Sequence, residues 1–466
     1  MFQKLANKYK YEVGLVERIK TVDLNTLQEA GINIVQMETV DLDGVLRGKF
    51  LPASKVKPDA LGGFCSVVYQ LTPSDDIWMT QHSSFENGFP DMIAVPDVET
   101  AIQWSWKPEI GAVIFDMQQK DGSPHPLAPR SVLKRVATRF AETGYQPVFG
   151  IEFEAFVMHR DEDLMAAGRH HEMKPFGQMR NAYRLNEAAD VRDLAAAFIT
   201  RMREAGIPVE VFHTELGYGA VEFALSPADP VRAADNATRA KTYFRQLCAE
   251  RGLAATFMAK WKVGESGSGG HVHQSIWQNG ENAFYGENGA FSSASLSYGA
   301  GLLKTMPDFS VIFRPNVNSY RRFSHKSWSP ENASWGKDNR SAALRILGSQ
   351  GRNAYRFEHR VPGADTNLYL SLAAMLAGGH YGLTHELSAP AFAEGNAALN
   401  TDFANLPKSL LEANRLFRES DIAKDYFGEL FVEHYAASRE NEWQHWLDWQ
   451  AEQVTSFELN RYFSTL

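Results

Sequence analysis

The chain carries acidic side chains in short patterns that could bind a metal ion. Glu152 and Glu154 stand two residues apart in the sequence IEFEAF, so on a strand both would lie on one face. Two carboxylates side by side repel each other unless a cation lies between them. For an isolated pair, a solvated strand face is the simpler explanation. Further ligand-type residues in the chain would favour a pair of metal ligands.

A second acidic pair, Glu215 and Glu222, is seven positions apart, with Gly217 and Gly219 between the two carboxylates. A glycine-containing turn between two short strands would fold the strands together. Both carboxylates would then lie near each other. Taken alone, this pair is again weak evidence for a binding site.

Two histidines follow a glycine-rich sequence. His271 and His273 come directly after GSGG at residues 267–270, and their alternation places both imidazoles on one strand face. Glycines there allow a ligand or another backbone to approach closely. One histidine is usually structural, whereas two on one face after such a loop favour a site. Glu358 and Arg360 alternate in the same way, although a surface ion pair is their ordinary explanation.

These residue types indicate a site for metal ions and anions. Carboxylates with an occasional imidazole are typical ligands of Mg²⁺ or Mn²⁺ rather than of structural zinc. Four or more carboxylates could hold two such ions, which is enough to bridge the phosphates of a nucleotide. Arginine binds carboxylates and phosphates through paired hydrogen bonds. Arginines cluster after the histidine pair, at Arg321, Arg322, Arg340, Arg345, Arg356 and Arg360. Scattered loop arginines are commonly solvated, but this grouping favours clamps on anionic substrates.

Strands and helices must position these groups, and their signals run along the chain. Alternating residues around Asp43-Gly44 predict a hairpin within residues 32–50. The patterns then predict a strand at 112–117, a helix from Pro129 to Gly144, a strand at 148–158, a helix at 191–205, a hairpin at 209–225, a helix at 230–251, and strands at 253–260 and 271–277. After about residue 285 the pattern is mostly helical, with a loop-rich stretch at 314–339.

The composition excludes several classes of protein. With 466 residues, 44% of them hydrophobic, the chain is too long for one ordinary domain. A formal net charge of -9 argues against a nucleic-acid partner. Cys65 and Cys248 lack CxxC neighbours and indicate neither a disulfide framework nor a zinc site. The apolar stretch 368–379 is short for a membrane span and predicts a buried helix, so we expect a cytoplasmic protein with no membrane partner.

The ordered set of motifs resembles the glutamine synthetase family over nearly the whole chain. The motifs are ExE at 152–154, E-x6-E at 215–222, GSGxHxHxS at 267–275, NSYxR at 318–322, NRSAxxRI at 339–346 and ExRxPGAxxN at 358–367. The resemblance implies an α+β protein with an N-terminal β-grasp domain at residues 1–110. A catalytic domain with a curved antiparallel sheet and helices would occupy residues 111–466. The family also implies a homo-oligomer of two stacked rings, a decamer or a dodecamer, with active sites between neighbouring subunits.

The resemblance also implies two to three Mg²⁺ or Mn²⁺ ions beside ATP and glutamate. One metal, next to the glutamate, would be held by Glu154, Glu215 and Glu222. A second metal, bridging the nucleotide phosphates, would be held by Glu152, His271 and Glu358.

Substrate contacts are implied in the same way. Arg322 and Arg360 would bind substrate carboxylates, and Gly267 would lie near the glutamate amino group. Contacts with ATP are expected from His273, Ser275, Arg340, Arg345 and Arg356. Asp41 matches the aspartate that a neighbouring subunit lends to the acceptor-amine site. Catalytic roles are expected for Asp41, Arg340 and Glu358, and roles in substrate binding for Glu154 and Trp328.

The acceptor segment departs from the pattern of ammonia-using members. Trp328 stands where those enzymes carry the glutamate that helps to bind ammonium and to remove its proton. A neutral ring cannot act as that base, but it can offer a flat apolar wall or a cation–π surface worth about 0.5–2 kcal/mol. The alternative is a shifted loop in which Glu331 supplies the acid.

We therefore expect an ATP-dependent ligase that converts the γ-carboxylate of glutamate to γ-glutamyl phosphate and couples it to an organic amine. The sequences at 318–323 and 361–367 look like those of the γ-glutamylpolyamine synthetase branch and its relatives. The acceptor could be a polyamine, an alkylamine or an aniline, taken up for catabolism. An ammonia-using glutamine synthetase is the first alternative. An inactive member with a structural or regulatory role is the second.

Overall fold

A computed structural model describes residues 27, 29–56, 63–177, 180, 182–185, 189–323, 328–348 and 351–465. Within these ranges the chain forms two β-sheets and a set of helices that pack against them. The predicted α+β class is confirmed.

The N-terminal sheet is built on a hairpin. Its strands are β1 (Ile34–Val40), β2 (Leu46–Pro52), β3 (Gly63–Cys65), β4 (Asp91–Pro96), β5 (Ile102–Gln103) and β6 (Ile110–Gln118). They follow the order β2-β1-β6-β4-β3, and β5 also pairs with β6. Strands β1 and β2 form the hairpin predicted around Asp43-Gly44. Gly44 has a φ of +78°, and a Cβ atom there would lie 2.9 Å from the Cα atom of Asn367, so the turn requires glycine.

The pairing of strand β6 bears on where the N-terminal domain ends. It pairs in parallel with β1 and antiparallel with β4, so it lies inside the N-terminal sheet. A boundary after residue 110 would cut this strand behind its first residue. We therefore propose that the boundary lies between Gln118 and the helix that begins at Pro129.

The second sheet carries most of the predicted site residues. Its strands are β7 (Gln146–His159), β8 (Val209–Thr214), β9 (Ala220–Leu225), β10 (Leu253–Thr256), β11 (Val272–Gln278), β12 (Glu281–Asn282), β13 (Trp335–Lys337), β14 (Leu344–Leu347) and β15 (Arg356–His359). They follow the order β13-β14-β15-β11-β7-β9-β8, with β10 also on β7 and β12 also on β11. The pairing is antiparallel apart from that of β13 with β14, within the described residues.

Helices cover the sheets and fill the C-terminal third. They are α1 (Pro129–Ala141), α2 (Glu162–Ala166), α3 (Ala189–Glu204), α4 (Pro230–Glu250), α5 (Ser293–Thr305), α6 (Ser310–Phe313), α7 (Leu368–Thr384), α8 (Leu410–Glu419), α9 (Asp421–Phe427), α10 (Glu429–Ala451) and α11 (Ser456–Tyr462). Helix α4 begins at Pro230, and the Asp229 side chain caps it by accepting from the Arg232 N–H. Helix α7 is buried along nearly its whole length, as predicted. Among the described helices, none is both long and apolar enough to cross a membrane.

The register of three neighbouring strands brings the ligand-type residues together. Strand β11 lies between β7 and β15. Its Val272 is opposite Ile151 of β7 and His359 of β15, and its His273 is opposite Glu358. Because residues opposite each other share a face and neighbours along a strand alternate, one face carries the side chains of Glu152, Glu154, His271, His273 and Glu358, whereas His359 projects from the other. We call the first of these the catalytic face.

Buried charges also join the N-terminal sheet to helices. Arg130 on α1 lies 2.8 Å from Asp97 Oδ2, 2.6 Å from Asp116 Oδ1 and 2.9 Å from Asp235 Oδ2. Asp97 and Asp116 belong to the N-terminal region, whereas Asp235 is on α4. One buried guanidinium therefore links three carboxylates from separate elements.

Two more contacts complete this boundary, which we call the domain junction. Arg239 Nε on α4 donates to Glu38 Oε2 on β1 at 2.7 Å, and both side chains are about 1% exposed. His434 Nε2 on α10 lies 2.9 Å from the carbonyl oxygen of Tyr69 and donates to it. Each of the four carboxylates at the junction thus accepts from an arginine, and the Tyr69 carbonyl oxygen accepts from an imidazole.

Candidate active site

The first cluster on the catalytic face contains Glu152 of β7, His271 just before β11, and Glu358 of β15. One ligand atom from each lies within 4.8 Å of the others. His271 Nδ1 is 3.7 Å from Glu152 Oε2 and 3.6 Å from Glu358 Oε1, so the imidazole stands between the two carboxylates. This arrangement unites the three residues that were expected to share one metal.

Positive groups surround the Glu358 carboxylate. Arg345 Nη1 lies 3.0 Å from its Oε2 atom, and Arg360 donates to its other oxygen. Burial opposes ionisation of Glu358, but the Arg360 guanidinium and the nearby imidazoles outweigh it and lower the pKa to about 2. The group is therefore a carboxylate at any physiological pH, the form that can bind a cation.

His273 binds the carboxylate on the other side of the cluster. Its Nε2 atom is 2.7 Å from Glu152 Oε1, and its Nδ1 atom accepts from Arg356 Nε at 3.1 Å. Burial disfavours the charged imidazole, but the Glu152 carboxylate overcomes it and raises the pKa of His273. Burial likewise opposes the Glu152 charge, and His273 and His271 hold the pKa of that carboxyl well below its usual range.

A second cluster lies on the next two strands. His213 on β8, Glu222 on β9 and Glu215 in the turn between them each place one ligand atom within 4.8 Å of the others. His213 Nε2 is 3.3 Å from Glu222 Oε1, and its Nδ1 atom is 3.8 Å from Glu215 Oε2. Burial raises the pKa of Glu215, and the like charges of Glu222 and Glu154 raise it further. Such mutual repulsion is what a bound cation would relieve.

Glu154 faces this second cluster. In the pairing of β7 with β9 it is directly opposite Glu222, as expected for residues that share a metal. Its Oε2 atom accepts from the Gly269 N–H at 2.6 Å. The carboxylate therefore connects the acidic cluster to the glycine-rich loop.

His213 was not among the predicted site residues. Burial lowers its affinity for a proton, but the hydrogen bond and charge of Glu222 prevail and raise its pKa to about 9. The signal was present in the sequence, since His213 and Glu215 are two residues apart and therefore lie on one side of an extended chain.

The glycine-rich loop at 267–270 packs directly on Arg322. A Cβ atom at Gly269 would lie 2.5 Å from His271 Nε2 and 2.9 Å from Arg322 Nη2, and one at Gly267 would lie 2.6 Å from Arg322 Cγ. A side chain at either position would displace His271 or Arg322 from its place beside the loop. Arg322 Nη2 also donates to His271 Nε2 at 3.2 Å. The expected glutamate-site residues Gly267 and Arg322 are thus in direct contact, next to the first cluster.

The remaining residues expected near the nucleotide lie on or beside the same face. Ser275 follows His273 in the alternation of β11, and its hydroxyl accepts from Trp277 Nε1 at 3.0 Å. The Arg340 side chain is exposed, while its carbonyl oxygen accepts from Arg360 Nε at 3.1 Å.

Asp41 lies in the β1–β2 turn rather than on the catalytic face of its own chain. Arg47 Nε donates to its Oδ2 atom at 2.7 Å, and the N–H groups of Asp43 and Val45 donate to its Oδ1 atom. Burial and the neighbouring Asp43 carboxylate outweigh Arg47 and raise the pKa of Asp41 to about 7. Its predicted place in the site of a neighbouring subunit stays a prediction.

Trp328 presents its ring to solvent. The side chain is 60% exposed, an unusual state for the largest apolar residue. Glu331, the alternative source of an acid, is half-buried three residues later, and its carbonyl oxygen accepts from the Leu406 N–H at 2.9 Å. An exposed aromatic ring in this segment is free to contact a ligand.

The donor atoms of both clusters suit a hard divalent cation. Each cluster combines carboxylate oxygens with one imidazole nitrogen, and neither contains a thiolate. Mg²⁺ and Mn²⁺ prefer such oxygen-rich sets, whereas structural zinc sites use cysteine and histidine. The residues present therefore fit the metal ions that the sequence predicted.

Residues 126–462 match the family described as "Glutamine synthetase, catalytic domain". The chain belongs to the glutamine synthetase family. Enzymes of this family are ligases that use ATP and divalent metal ions, act on small molecules and are commonly oligomeric. The predicted family and the predicted ligase class are thereby confirmed.

Several relatives align over nearly the whole chain at 32% identity. Glutamate–isopropylamine ligase of Pseudomonas sp. aligns with 94% of this chain and 97% of its own length. Gamma-glutamylethanolamide synthetase GlnA4 of Streptomyces coelicolor aligns with 95% of this chain and 96% of its own. Type-1 glutamine synthetase 2 of Dictyostelium discoideum aligns with 98% of this chain and 88% of its own. Members named for amine substrates and a member named glutamine synthetase are therefore equally similar.

A solved structure has the same fold. The structure described as "Apo GmaS without ligand" superposes with a TM-score of 0.81, at 26% sequence identity, over 95% of this chain and 99% of its own. The expected glutamine-synthetase-type fold is confirmed.

Proposed function

We propose that this protein joins the γ-carboxylate of glutamate to an organic amine at the expense of ATP. The products would be a γ-glutamyl amide, ADP and phosphate. Among the relatives, those named for isopropylamine and ethanolamide support an amine acceptor. Such a reaction would open the catabolism of the amine in the cytoplasm.

The observation that carries this proposal is the exposed ring of Trp328. An ammonia site needs a carboxylate to bind ammonium and take its proton, and this position offers none. A 60% exposed indole can instead pack on an alkyl or aryl group or lie against its ammonium. We infer that the acceptor is larger than ammonia and that Trp328 forms one wall of its pocket.

The two clusters are proposed to hold divalent cations. Glu154, Glu215 and Glu222 would bind one, with His213 as a further ligand, and Glu152, His271 and Glu358 would bind another. The metal ions, when bound, supply positive charge that allows two anions to react. The expected total of two to three ions per site is part of the proposal.

The side chains of the catalytic face are proposed to bind and align the substrates. Arg340, Arg345 and Arg356 would contact ATP phosphates, with His273 and Ser275 beside the nucleotide. Arg322 and Arg360 would bind carboxylates, and Gly267 would leave room for the glutamate amino group. This alignment favours attack of the γ-carboxylate oxygen on the terminal phosphorus, with release of ADP and formation of γ-glutamyl phosphate.

The amine nitrogen would then attack the acyl carbon, phosphate would leave, and the nitrogen would give up a proton. Asp41 from a neighbouring copy of the chain is proposed as the acceptor of that proton. Its pKa of about 7, raised by burial and by Asp43, suits a group that takes up a proton near neutral pH. This role requires the proposed oligomer of two stacked rings.

An acceptor panel tests the proposal. Phosphate release is measured with glutamate, ATP and Mg²⁺ in the presence of ammonium, alkylamines, polyamines or anilines. We expect an organic amine to give the highest kcat/KM. If ammonium is the best acceptor, the proposed function is wrong.

Two variants of the tryptophan sharpen the test. Trp328→Glu places a carboxylate at the acceptor position and should shift preference toward ammonium by roughly tenfold or more, since a hydrogen bond to a charged group is worth about 1.5–3 kcal/mol. Trp328→Phe keeps an aromatic ring and should retain the amine preference. An identical amine profile for wild type and Trp328→Glu would mean that Trp328 does not line the pocket.

An ammonia-using glutamine synthetase is the second candidate. The similarity to type-1 glutamine synthetase 2 and the nearby Glu331 favour it. In that case Glu331→Gln should abolish turnover with ammonium while Trp328→Glu changes little. The two candidates therefore make opposite predictions for these two positions.

A further inference from the structure

Lys241 is a partly buried lysine of helix α4 that the proposed chemistry does not use. Its Nζ atom donates to the carbonyl oxygen of Ala364 at 2.7 Å. The ammonium also lies 5.4 Å from the ring centroids of Phe153 and Phe257, within the range of a cation–π contact. Helix α4 thus places one cation under the segment that follows β15.

The segment at 361–365, which we call the support segment, packs against the glycine-rich loop. Gly270 N donates to the carbonyl oxygen of Pro362 at 3.0 Å, and Ala364 N donates to that of Ser268 at 3.1 Å. A Cβ atom at Gly270 would lie 2.5 Å from the Gly363 carbonyl oxygen. The position of the support segment therefore fixes the position of the loop.

The support segment also holds Arg322. Arg322 Nη1 donates to the carbonyl oxygens of Val361 and Pro362, at 3.2 and 3.0 Å. Asp365 accepts from the Ser319 hydroxyl at 2.6 Å, three residues before that arginine. Both the guanidinium and the chain that carries it are set by this segment.

Burying the ammonium of Lys241 costs free energy of folding that its contacts must offset. Burial lowers the pKa of Lys241 to about 7, and the charge of the nearby Arg245 lowers it further. The Asp365 carboxylate raises this pKa, but by less. An apolar residue would avoid that cost. The strong hydrogen bond from the ammonium to Ala364 is the contact that an apolar residue would forfeit.

We propose that Lys241 is a positioning residue for the glutamate site. It touches no substrate but holds the support segment, which in turn holds Arg322 and the glycine-rich loop. The proposal rests on the proposed role of that loop and arginine in binding glutamate. It does not depend on which amine is the acceptor.

Substitution of Lys241 tests the proposal in the full-length protein. Lys241→Met should raise the KM for glutamate by roughly tenfold or more, because small misplacements of substrate-binding groups have large kinetic effects. The KM for ATP should stay unchanged. Lys241→Arg, which keeps a cationic donor, should restore much of the affinity for glutamate.

Lys134→Met is the matched control. Lys134 is likewise a helix lysine whose ammonium has a close partner, Asp116 Oδ2 at 2.5 Å, but it lies on α1 at the domain junction. It should leave the KM for glutamate unchanged. Equal KM values for glutamate in Lys241→Met and wild type would overturn the proposal, as would parallel rises in the KM values for glutamate and ATP.

Calorimetric titration of glutamate into the protein with ADP and Mg²⁺ separates this proposal from the proposed function. A protein that binds glutamate but prefers ammonium contradicts only the choice of acceptor. A protein whose glutamate affinity is the same with methionine at position 241 contradicts only the role of Lys241. If Lys241→Met does not fold, Lys241→Arg must bind glutamate more tightly than the neutral Lys241→Gln, and equal affinities overturn the proposal.

Discussion

The domain junction and the catalytic face both bury charged side chains, but they balance them differently. At the junction the Arg130 guanidinium is ringed by three carboxylates, and Arg239 and Glu38 form a pair that is almost entirely buried. In the second cluster of the catalytic face, Glu215 and Glu222 lie close together with a single imidazole between them. Each of the four junction carboxylates accepts a hydrogen bond from an arginine, whereas, within the described residues, Glu215 and Glu222 share one imidazole and no arginine.

This difference separates structural charge from functional charge. A buried ion pair whose partners satisfy each other binds nothing further, and breaking it costs stability. A group of carboxylates that repel one another stores an unfavourable interaction that a cation can relieve. Substitutions in the two regions should therefore have opposite consequences for stability and activity.

The largest expected effect is on stability at the domain junction. Arg130→Met should lower the free energy of unfolding by about 3–5 kcal/mol, because it leaves the buried Asp235 carboxylate without its cationic partner and leaves Asp97 and Asp116 to share Lys134. Activity per folded molecule should change little, since Arg130 lies outside the catalytic face. Denaturant titration and a kinetic assay on the folded fraction measure the two quantities.

Arg135→Met is the control for Arg130→Met. Arg135 is on the same helix, but its guanidinium donates to the carbonyl oxygen of Phe427 at 2.6 Å instead of to carboxylates. Its loss should cost only about 1 kcal/mol, the usual net value of one hydrogen bond. Equal destabilisation by both variants would mean that the carboxylates around Arg130 are not what makes it important.

The second prediction concerns the surplus charge of the catalytic face. Glu215→Gln should lower kcat/KM by about 100-fold or more through weaker metal binding. Without metal, however, its melting temperature should equal or exceed that of wild type, because a repulsive charge is removed. Addition of Mg²⁺ should raise the melting temperature of wild type more than that of the variant.

Glu210→Gln on the preceding strand β8 is the matched control, because its side chain is exposed and accepts from the Ser226 hydroxyl. It should retain activity and the response to Mg²⁺. A metal-free Glu215→Gln protein that melts well below wild type would show that Glu215 is structural and would remove the contrast between the two regions.

The smallest predicted effect is a pH dependence at the domain junction. Burial lowers the pKa of His434, and the hydrogen bond to the Tyr69 carbonyl raises it by less. The resulting pKa is about 4. In the unfolded chain the imidazole of His434 has a pKa of about 6.5. Between pH 6.5 and pH 4 it is therefore protonated in the unfolded chain but neutral in the folded one. Stability should fall as the pH falls from 6.5 to 4, by at most about 1.4 kcal/mol per pH unit from this group.

His434→Gln should flatten that slope, since its amide can still donate to the Tyr69 carbonyl but does not titrate. Unfolding free energies at pH 7 and pH 5 measure the change. The exposed His170 provides the control, and His170→Gln should leave the slope as it is. An unaltered slope in His434→Gln would place the acid sensitivity elsewhere.

Local patterns predicted most of the elements because their causes are local. The turn at Asp43-Gly44 and the hairpin at 209–225 appear as predicted, and the helix expected from Pro129 begins there. The strand expected at 253–260 ends at Thr256, because the chain then turns so that the Ala259 carbonyl accepts from the Ser268 N–H. The parallel pairing of β1 with β6 joins segments that are far apart in the sequence. The local pattern around residue 110 therefore could not show that the strand beginning there pairs within the N-terminal sheet.

In the candidate site, too, local features were predictable from the sequence and long-range contacts were not. Alternation along single strands predicted that Glu152 and Glu154, or His271 and His273, would share a face. It did not reveal the contact of Arg322 with the support segment, which joins residues 39 or 40 positions apart through backbone carbonyls. Backbone acceptors are the same for every residue type, so no sequence pattern marks them.

The register of strand β11 has a consequence for how the chain tolerates changes in length. His273, and His271 just before the strand, reach the catalytic face only because His273 stands opposite Glu358. A single-residue insertion at the start of the strand would turn the imidazoles toward the core and bring Val272 and Gln274 to the surface in their place. Gains and losses of residues in this family should therefore accumulate in connecting segments and spare β11, where one added residue would erase the site while leaving every catalytic side chain in the sequence.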